Sequence, residues 1–147
     1  MDEILIRPAT EADAKPIRDL IFAVQINPMG LDWRRFMVAV APGEEFVGCG
    51  QIKPHGDGSR ELASIAVRED FRGRGVARSI IEDLLARNPP PLYLMCRSVL
   101  GPFYEKFGFR ELTREDMPPY FRRMTGLAKA FELMAKDGDY LMIMKLG

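Results

Sequence analysis

The chain has 147 residues, the length of a single domain that buries enough surface to need no disulfide or metal. Hydrophobic residues make up 47% and charged residues 29%, the balance of a soluble globule and not of a disordered chain. Lys plus Arg equals Asp plus Glu at 21 each, which argues against a dedicated nucleic-acid coat protein.

The predicted elements begin with a short strand over residues 4–7, stopped by Pro8. Thr10 then reads as a helix cap with Asp13 three residues on, and Ile17, Leu20, Ile21 and Val24 follow at helical spacing. Asn27-Pro28-Met29-Gly30 ends that helix. Residues 35–41 (RFMVAVA) and 45–53 (EFVGCGQIK) are β-rich runs joined by Pro42-Gly43-Glu44, which predicts a hairpin. His55-Gly56-Asp57-Gly58-Ser59 is a second turn, and residues 60–67 (RELASIAV) form a third strand of an antiparallel meander. The period then changes. Val76, Ile80, Ile81, Leu84 and Leu85 share one helix face, with Glu82, Asp83 and Arg87 opposite. Asn88-Pro89-Pro90-Pro91 stops it. Residues 92–96 (LYLMC) are wholly apolar, as a buried strand parallel to the one before the helix would be. A short helix around 102–106 ends at Gly108. Pro118-Pro119 opens a longer helix with Tyr120, Phe121, Met124, Leu127, Ala128, Phe131, Met134 and Ala135 on one face. Asp137-Gly138-Asp139 turns the chain into a closing strand over residues 140–146. The layout is α+β, a mixed sheet flanked by helices, in one domain spanning residues 1–147.

Basic residues are skewed, 15 Arg against 6 Lys, which weakly favours an anionic ligand because Arg pairs bidentately with phosphate and carboxylate. Cys49 and Cys96 lie in apolar runs and read as buried free thiols. His55 is the only histidine, so a Cys/His zinc site is excluded and no metal is expected. The acidic N-terminus lacks an apolar signal segment, and no run of 18 apolar residues occurs, so a cytoplasmic, non-membrane protein is expected.

The most informative stretch runs from Ile65 to Ala77 (IAVREDFRGRGVA), a strand entering a Gly-rich turn that opens a helix. The first N–H groups of a helix have no internal partner, and the helix dipole adds partial positive charge there. Gly73 and Gly75 remove side chains from the approach, and Arg72 and Arg74 add full charge. Such a turn suits a phosphate or diphosphate. It is not a Walker loop, which needs GxxxxGK with Ser or Thr, and Arg78 stands where the dinucleotide fingerprint needs its third glycine. A plain strand-to-helix turn with two solvated arginines is the alternative.

Arg72, Gly75 and Ala77 fill the specified positions of the Gln/Arg-x-x-Gly-x-Gly/Ala motif, and the stretch resembles the acetyl-CoA-binding turn of the Gcn5-related N-acetyltransferase (GNAT) superfamily. A second element, Gly101-Pro102-Phe103-Tyr104-Glu105-Lys106-Phe107-Gly108-Phe109, looks like the family's later Tyr-Glu-Lys helix. Both stand in the family's order, over residues 45–110. The resemblance implies a GNAT-like, mainly antiparallel sheet of about seven strands with one parallel strand-helix-strand crossover. It implies acetyl-CoA as co-substrate, with the diphosphate held by Arg72, Gly73, Arg74, Gly75, Val76 and Ala77. It implies pantetheine along Ile65, Ala66 and Val67, where a strand edge offers matching donors and acceptors. Many relatives carry an Asn seven residues before the tyrosine. Arg97 stands there in this chain, and the adjacent Ser98 is the substitute contact.

The same resemblance makes Tyr104 the acid for the departing thiolate. A thiol of pKa about 8.5 leaves fairly well unprotonated, so the expected contribution is on the order of 10²-fold. The alternative is a packing tyrosine among Phe103, Phe107 and Phe109. A lysine-type amine is free base in only ~1 molecule in 2,500 at pH 7, a cost of about 4.6 kcal/mol, whereas an α-amine costs about 1.4 kcal/mol. Glu61, six residues before Val67, matches the position of the glutamate base in histone-acetyltransferase members. The competing expectation for Glu61 is a solvated strand-end residue or a pair with Arg60. His55 is a second candidate base, but its Gly-rich turn predicts a mobile, exposed imidazole. With neither cysteine set beside a histidine, direct attack of the acceptor amine on the thioester is expected, without an acyl-enzyme.

The acceptor groove is sought in residues 27–36 and 117–124. There Trp33, Tyr120 and Phe121 can wall a pocket and Arg34, Arg35, Arg122 and Arg123 can hold a carboxylate, unless the aromatics are core and the arginines solvated. The resulting expectation is an N-acetyltransferase acting on a small-molecule, peptide or protein amine. It is a monomer or homodimer with no nucleic-acid partner. The alternative is a non-catalytic acyl-CoA-binding module on the same fold.

Overall fold

Strand β1 (Leu5–Pro8) pairs antiparallel with β2 (Phe36–Ala41), from Leu5↔Val40 to Pro8↔Met37. It occupies an edge of the sheet, where a proline's missing N–H costs no ladder bond. The computed structural model describes residues 3–132 and 138–147, the side chains of 128–132 excepted. Among these, the chain forms two compact units, residues 1–53 with 62–89 and residues 54–61 with 90–147.

In the first unit, Thr10 and Asp13 start the predicted helix as a capping box. The Thr10 N–H donates to Asp13 Oδ2 at 2.7 Å, and Arg7 adds a bond to the same oxygen at 2.8 Å, a partner that the local pattern did not announce. A 3-10 turn (Glu11–Asp13) leads into α1 (Ala14–Ala23). Ile17, Leu20 and Ile21 of α1 are buried with Phe36, Val38, Val40, Cys49 and Ala66. β2 pairs antiparallel with β3 (Glu45–Pro54), with a register shift between Ala39 and Val40. β4 (Arg60–Val67) is the next neighbour in the sheet and leads into α2 (Val76–Arg87). Val76, Ile80, Ile81 and Leu84 form the buried face of α2. Two β3 glycines let α2 settle this close. A Cβ on Gly50 would stand 2.5 Å from Ile65 Cδ1 and 2.8 Å from Ile80 Cγ2.

In the second unit, β5 (Leu92–Arg97) pairs antiparallel with β7 (Leu141–Leu146) from Leu92↔Leu146 to Arg97↔Leu141. The first residues of β4 belong to this unit, and Glu61↔Tyr93 is the parallel register of β4 with β5. A 3-10 turn (Ser98–Leu100) precedes α3 (Gly101–Glu105), and Gly108 has φ +100, as a left-handed stop requires. The two-residue strand β6 (Arg110–Glu111), absent from the sequence reading, pairs with β7. α4 spans Pro119–Glu132, with Phe121 fully buried. Met134, Ala135 and Asp137 lie outside the described residues, as do the side chains of Ala128 and Phe131.

The seven strands run in the order β1-β2-β3-β4-β5-β7-β6, a mixed sheet with one parallel pair, flanked by helices. The expected fold class, strand number and parallel crossover are therefore observed. Cys49 and Cys96 are buried free thiols, as expected. Among the described residues, no helix is long and apolar enough to cross a membrane.

Candidate functional site

The first unit carries the Arg/Gly turn. After β4, Glu69–Phe71 form a 3-10 turn that buries Phe71. Gly73 and Gly75 then have φ +76 and φ +78. A Cβ would meet nothing within 4 Å at either, so glycine is needed there for conformation and not for space. Gly75 is the N-cap of α2, and the first helical bond runs from Ser79 N–H to Gly75 O at 3.0 Å. No side chain caps this terminus, and its first turn holds no acidic residue. The leading amides of α2 therefore keep their hydrogen-bonding capacity and their share of the dipole. Residues 72–75 are exposed, whereas Val76 is buried and anchors the helix start. Arg72 folds back, its Nε donating to Val67 O at 3.3 Å. Arg74 lies over the Phe71 ring at 4.9 Å, on the same ring that Arg68 approaches at 5.5 Å. Two cations are thus held beside uncapped helix amides, an arrangement whose charge and free N–H groups suit a phosphate.

The strand entering this turn is not regular. Ser64 has φ +60, strained for a residue with a Cβ. Two β3 side chains hold it: Gln51 Nε2 donates to Ser64 Oγ at 2.9 Å, and Cys49 Sγ to Ser64 O at 3.6 Å. Gln51 Nε2 also donates to Gly30 O at 3.1 Å. The sequence reading assigned no role to Ser64 or Gln51. A buried glutamine inside an otherwise apolar strand run was the only signal available. Burial drives the Cys49 thiol up to about 12, so it is no nucleophile at neutral pH.

The second unit carries the titratable candidates. Tyr104 lies on α3, its ring edge-on to Phe103 at 5.0 Å and to Phe109 at 6.4 Å. Burial first, and the neighbouring Cys96 second, push its phenol up to about 12. It is therefore a proton holder at neutral pH, a donor and not a base. Cys96 itself is pushed up to about 11, chiefly by burial. Ser98 is already engaged. Its Oγ donates to Asp139 Oδ1 at 2.7 Å and accepts the Tyr140 N–H at 3.1 Å, while Arg97 Nε donates to Asp139 Oδ2 at 2.7 Å. One hydroxyl lone pair of Ser98 remains for a ligand.

Two expectations are corrected here. His55 is not an exposed, mobile imidazole, and Glu61 is not solvated. His55 Nε2 and Glu61 Oε1 are 2.7 Å apart, with side-chain exposures of 8% and 5%. The reason lies 63 residues away in sequence. Asp57 Oδ2 accepts the Tyr120 N–H at 3.0 Å at the start of α4, and the His55 ring stacks on Tyr120 at 3.6 Å. Desolvation raises the Asp57 pKa, but bonds from Ser59 and the Tyr120 N–H, with the nearby His55, outweigh it and hold it at about 2. The aromatics offered as groove walls divide: Phe121 is core, and Tyr120 packs on His55. Arg122 is spent on the carbonyls of Arg114 and Glu115, while Arg34 pairs with Asp32 over the Trp33 ring.

Comparisons with known proteins agree with this geometry. The profile of the acetyltransferase (GNAT) domain matches residues 32–111. Rv2747 from Mycobacterium tuberculosis, solved in complex with CoA, superposes with a TM-score of 0.70 at 20% identity, over 97% of this chain and 99% of that one. A GNAT-family acetyltransferase from Staphylococcus aureus Mu50 gives 0.70 at 16% identity, over 99% of this chain and all (100%) of that one. N-acetylglutamate synthase from Neisseria gonorrhoeae, complexed with coenzyme A and N-acetyl-glutamate, gives 0.71 at 16% identity. There this chain spans 35% of the longer enzyme. No curated protein sequence matched the chain. With the domain profile covering more than half of its length and the sheet order and uncapped Arg/Gly turn in place, the chain belongs to the GNAT acetyltransferase family.

Proposed function

We propose that this protein transfers an acetyl group from acetyl-CoA to a primary amine, by direct attack within a ternary complex. The observation that carries the reading is the uncapped N-terminus of α2, with Gly75 at φ +78 just after Arg72, Gly73 and Arg74. The amides from Gly73 to Ala77, with the two guanidinium groups, grip the diphosphate, and the absence of any Cβ contact at Gly73 and Gly75 fits that role. Backbone groups of Ile65, Ala66 and Val67 pair with the pantetheine amides. The solved neighbours named with CoA support this assignment, and the synthase complexed with N-acetyl-glutamate supports an amine acceptor.

In the chemical step, the amine nitrogen bonds to the acyl carbon and the carbon–sulfur bond breaks. Glu61 takes the amine proton, and Tyr104 donates a hydrogen bond to the sulfur as it gains charge. Two thiols with pKa values of about 12 and about 11 support a route without an acyl-enzyme. The test is calorimetric titration with CoA, followed by CoA-thiol release from acetyl-CoA across amino acids, spermidine, a lysine peptide and a peptide with a free α-amine. Binding with turnover on one acceptor supports the reading, and no binding ends it. One observation favours a second reading, a non-catalytic CoA-binding module. Arg97 replaces the relatives' asparagine, and the Ser98 hydroxyl is tied to Asp139. Binding without turnover on any amine would select it.

A further inference from the structure

The turn between β3 and β4 is built to hold one ring. His55 N–H donates to Ser59 O and Gly58 N–H to His55 O, each at 3.0 Å. Asp57 Oδ1 accepts Ser59 Oγ–H at 2.6 Å and Ser59 N–H at 2.9 Å, and its other oxygen takes the Tyr120 N–H. The imidazole lies flat on Tyr120, with an interplanar angle of 16°, and meets Phe121 edge-on at 5.7 Å. Backbone, ring face and ring edge are all restrained, and the ring nitrogen Nε2 meets Glu61 Oε1 at 2.7 Å.

We infer that His55 is a positioning residue for Glu61: its neutral imidazole keeps the proton on Nε2, donates it to Oε1, and so orients and keeps anionic the carboxylate that receives the acceptor's proton. The inference rests on Glu61 being the base of the proposed transfer. A buried carboxylate with no donor neutralises itself, and a hydrogen bond to its charged form opposes that. During the step, the amine proton moves to the Glu61 carboxylate while His55 retains its own. After the product leaves, Glu61 returns its proton to solvent. The charged and titratable groups around the pair are Asp57 in the turn, Arg60 on β4, Tyr93 on β5, Lys145 on β7 over the Tyr93 ring, and Tyr120 and Arg123 on α4.

His55 is the only histidine, so the imidazole 15N spectrum of the labelled protein reports this ring alone. The expected spectrum at neutral pH is the Nε2–H tautomer in the wild type, replaced by a tautomer mixture in Glu61→Ala. With the best acceptor of the amine panel, His55→Ala is expected to lower kcat about tenfold, the loss of one hydrogen bond to a charged group. His55→Gln, which keeps an N–H donor, is expected to stay within about threefold of wild type. An Nδ1–H tautomer in the wild type overturns the inference. So does a kcat of His55→Gln as low as that of His55→Ala. Either result leaves the acetyl transfer standing, whereas absence of CoA binding removes the transfer itself. Should His55→Ala fail to fold, the wild-type tautomer and the kcat of His55→Gln against wild type still decide.

Discussion

Replacing Tyr104 by phenylalanine removes one hydroxyl from a packed aromatic cluster and leaves the ring contacts with Phe103 and Phe109. The magnitude follows from its acidity. The phenol sits at about 12, while a CoA-type thiol leaves at about 8.5. Full proton transfer from Tyr104 to the thiolate is thus uphill by about 3.5 pKa units, or about 4.8 kcal/mol. In the proposed transfer Tyr104 would therefore contribute a hydrogen bond to the developing thiolate, worth about 1.5–3 kcal/mol. Tyr104→Phe is expected to lower kcat by about 10- to 150-fold, with the CoA Kd changed less than about threefold. The active form is the neutral phenol, which persists below its pKa of about 12 and is lost only as pH rises through that value. No basic limb from Tyr104 is then expected up to pH 10. The assay is thiol release from acetyl-CoA under saturating acceptor, between pH 6 and pH 10. Unchanged kcat would refute the role, and so would a basic limb below pH 10 that vanishes in the variant.

Arg74→Glu reverses a charge beside the uncapped amides of α2 and is expected to weaken CoA binding at least about tenfold in titration calorimetry, with the melting temperature held. Gly50→Ala forces a Cβ to within 2.5 Å of Ile65 Cδ1 and 2.8 Å of Ile80 Cγ2, and is expected to cost about 1–3 kcal/mol in denaturant unfolding. Asp57 has its folded pKa lowered from 3.8 to about 2, so its stabilisation is complete above pH 4 and fades as pH falls toward 2. Asp57→Asn should flatten the acid side of the stability curve, with a loss at pH 7 of about 1 kcal/mol after allowing for the exposure of this residue. Cys49 and Cys96, at about 12 and about 11, should resist iodoacetamide in the native protein at pH 8 and react after unfolding, as followed by mass spectrometry.

Local chemistry made several of these features legible before any coordinates. Gly73 and Gly75 flank an arginine just ahead of an amphipathic helix, and glycine at such a junction points to left-handed backbone wherever the pattern recurs. The strands at 36–41, 45–54 and 60–67 and the helix at 76–87 were readable because their periodicity is set by which face is buried, a property of neighbouring residues. The two-residue β6 was not, since it exists only because β7 offers it partners 33 and 35 positions away.

The left-handed Arg/Gly turn at the uncapped start of α2 was thus written in the residues themselves, because dipole, glycine and arginine act within one turn of helix. The state of His55 was decided by the fold alone. Its glycine-rich turn reads as mobile until Asp57 takes up the amide of Tyr120 and the ring stacks beside it. The strain at Ser64 had the same origin, since Gln51 and Cys49 on a neighbouring strand hold it. Burial and hydrogen-bond partners at long sequence separation determine whether a titratable group is solvent-exposed or locked, and those contacts form only when distant segments pack.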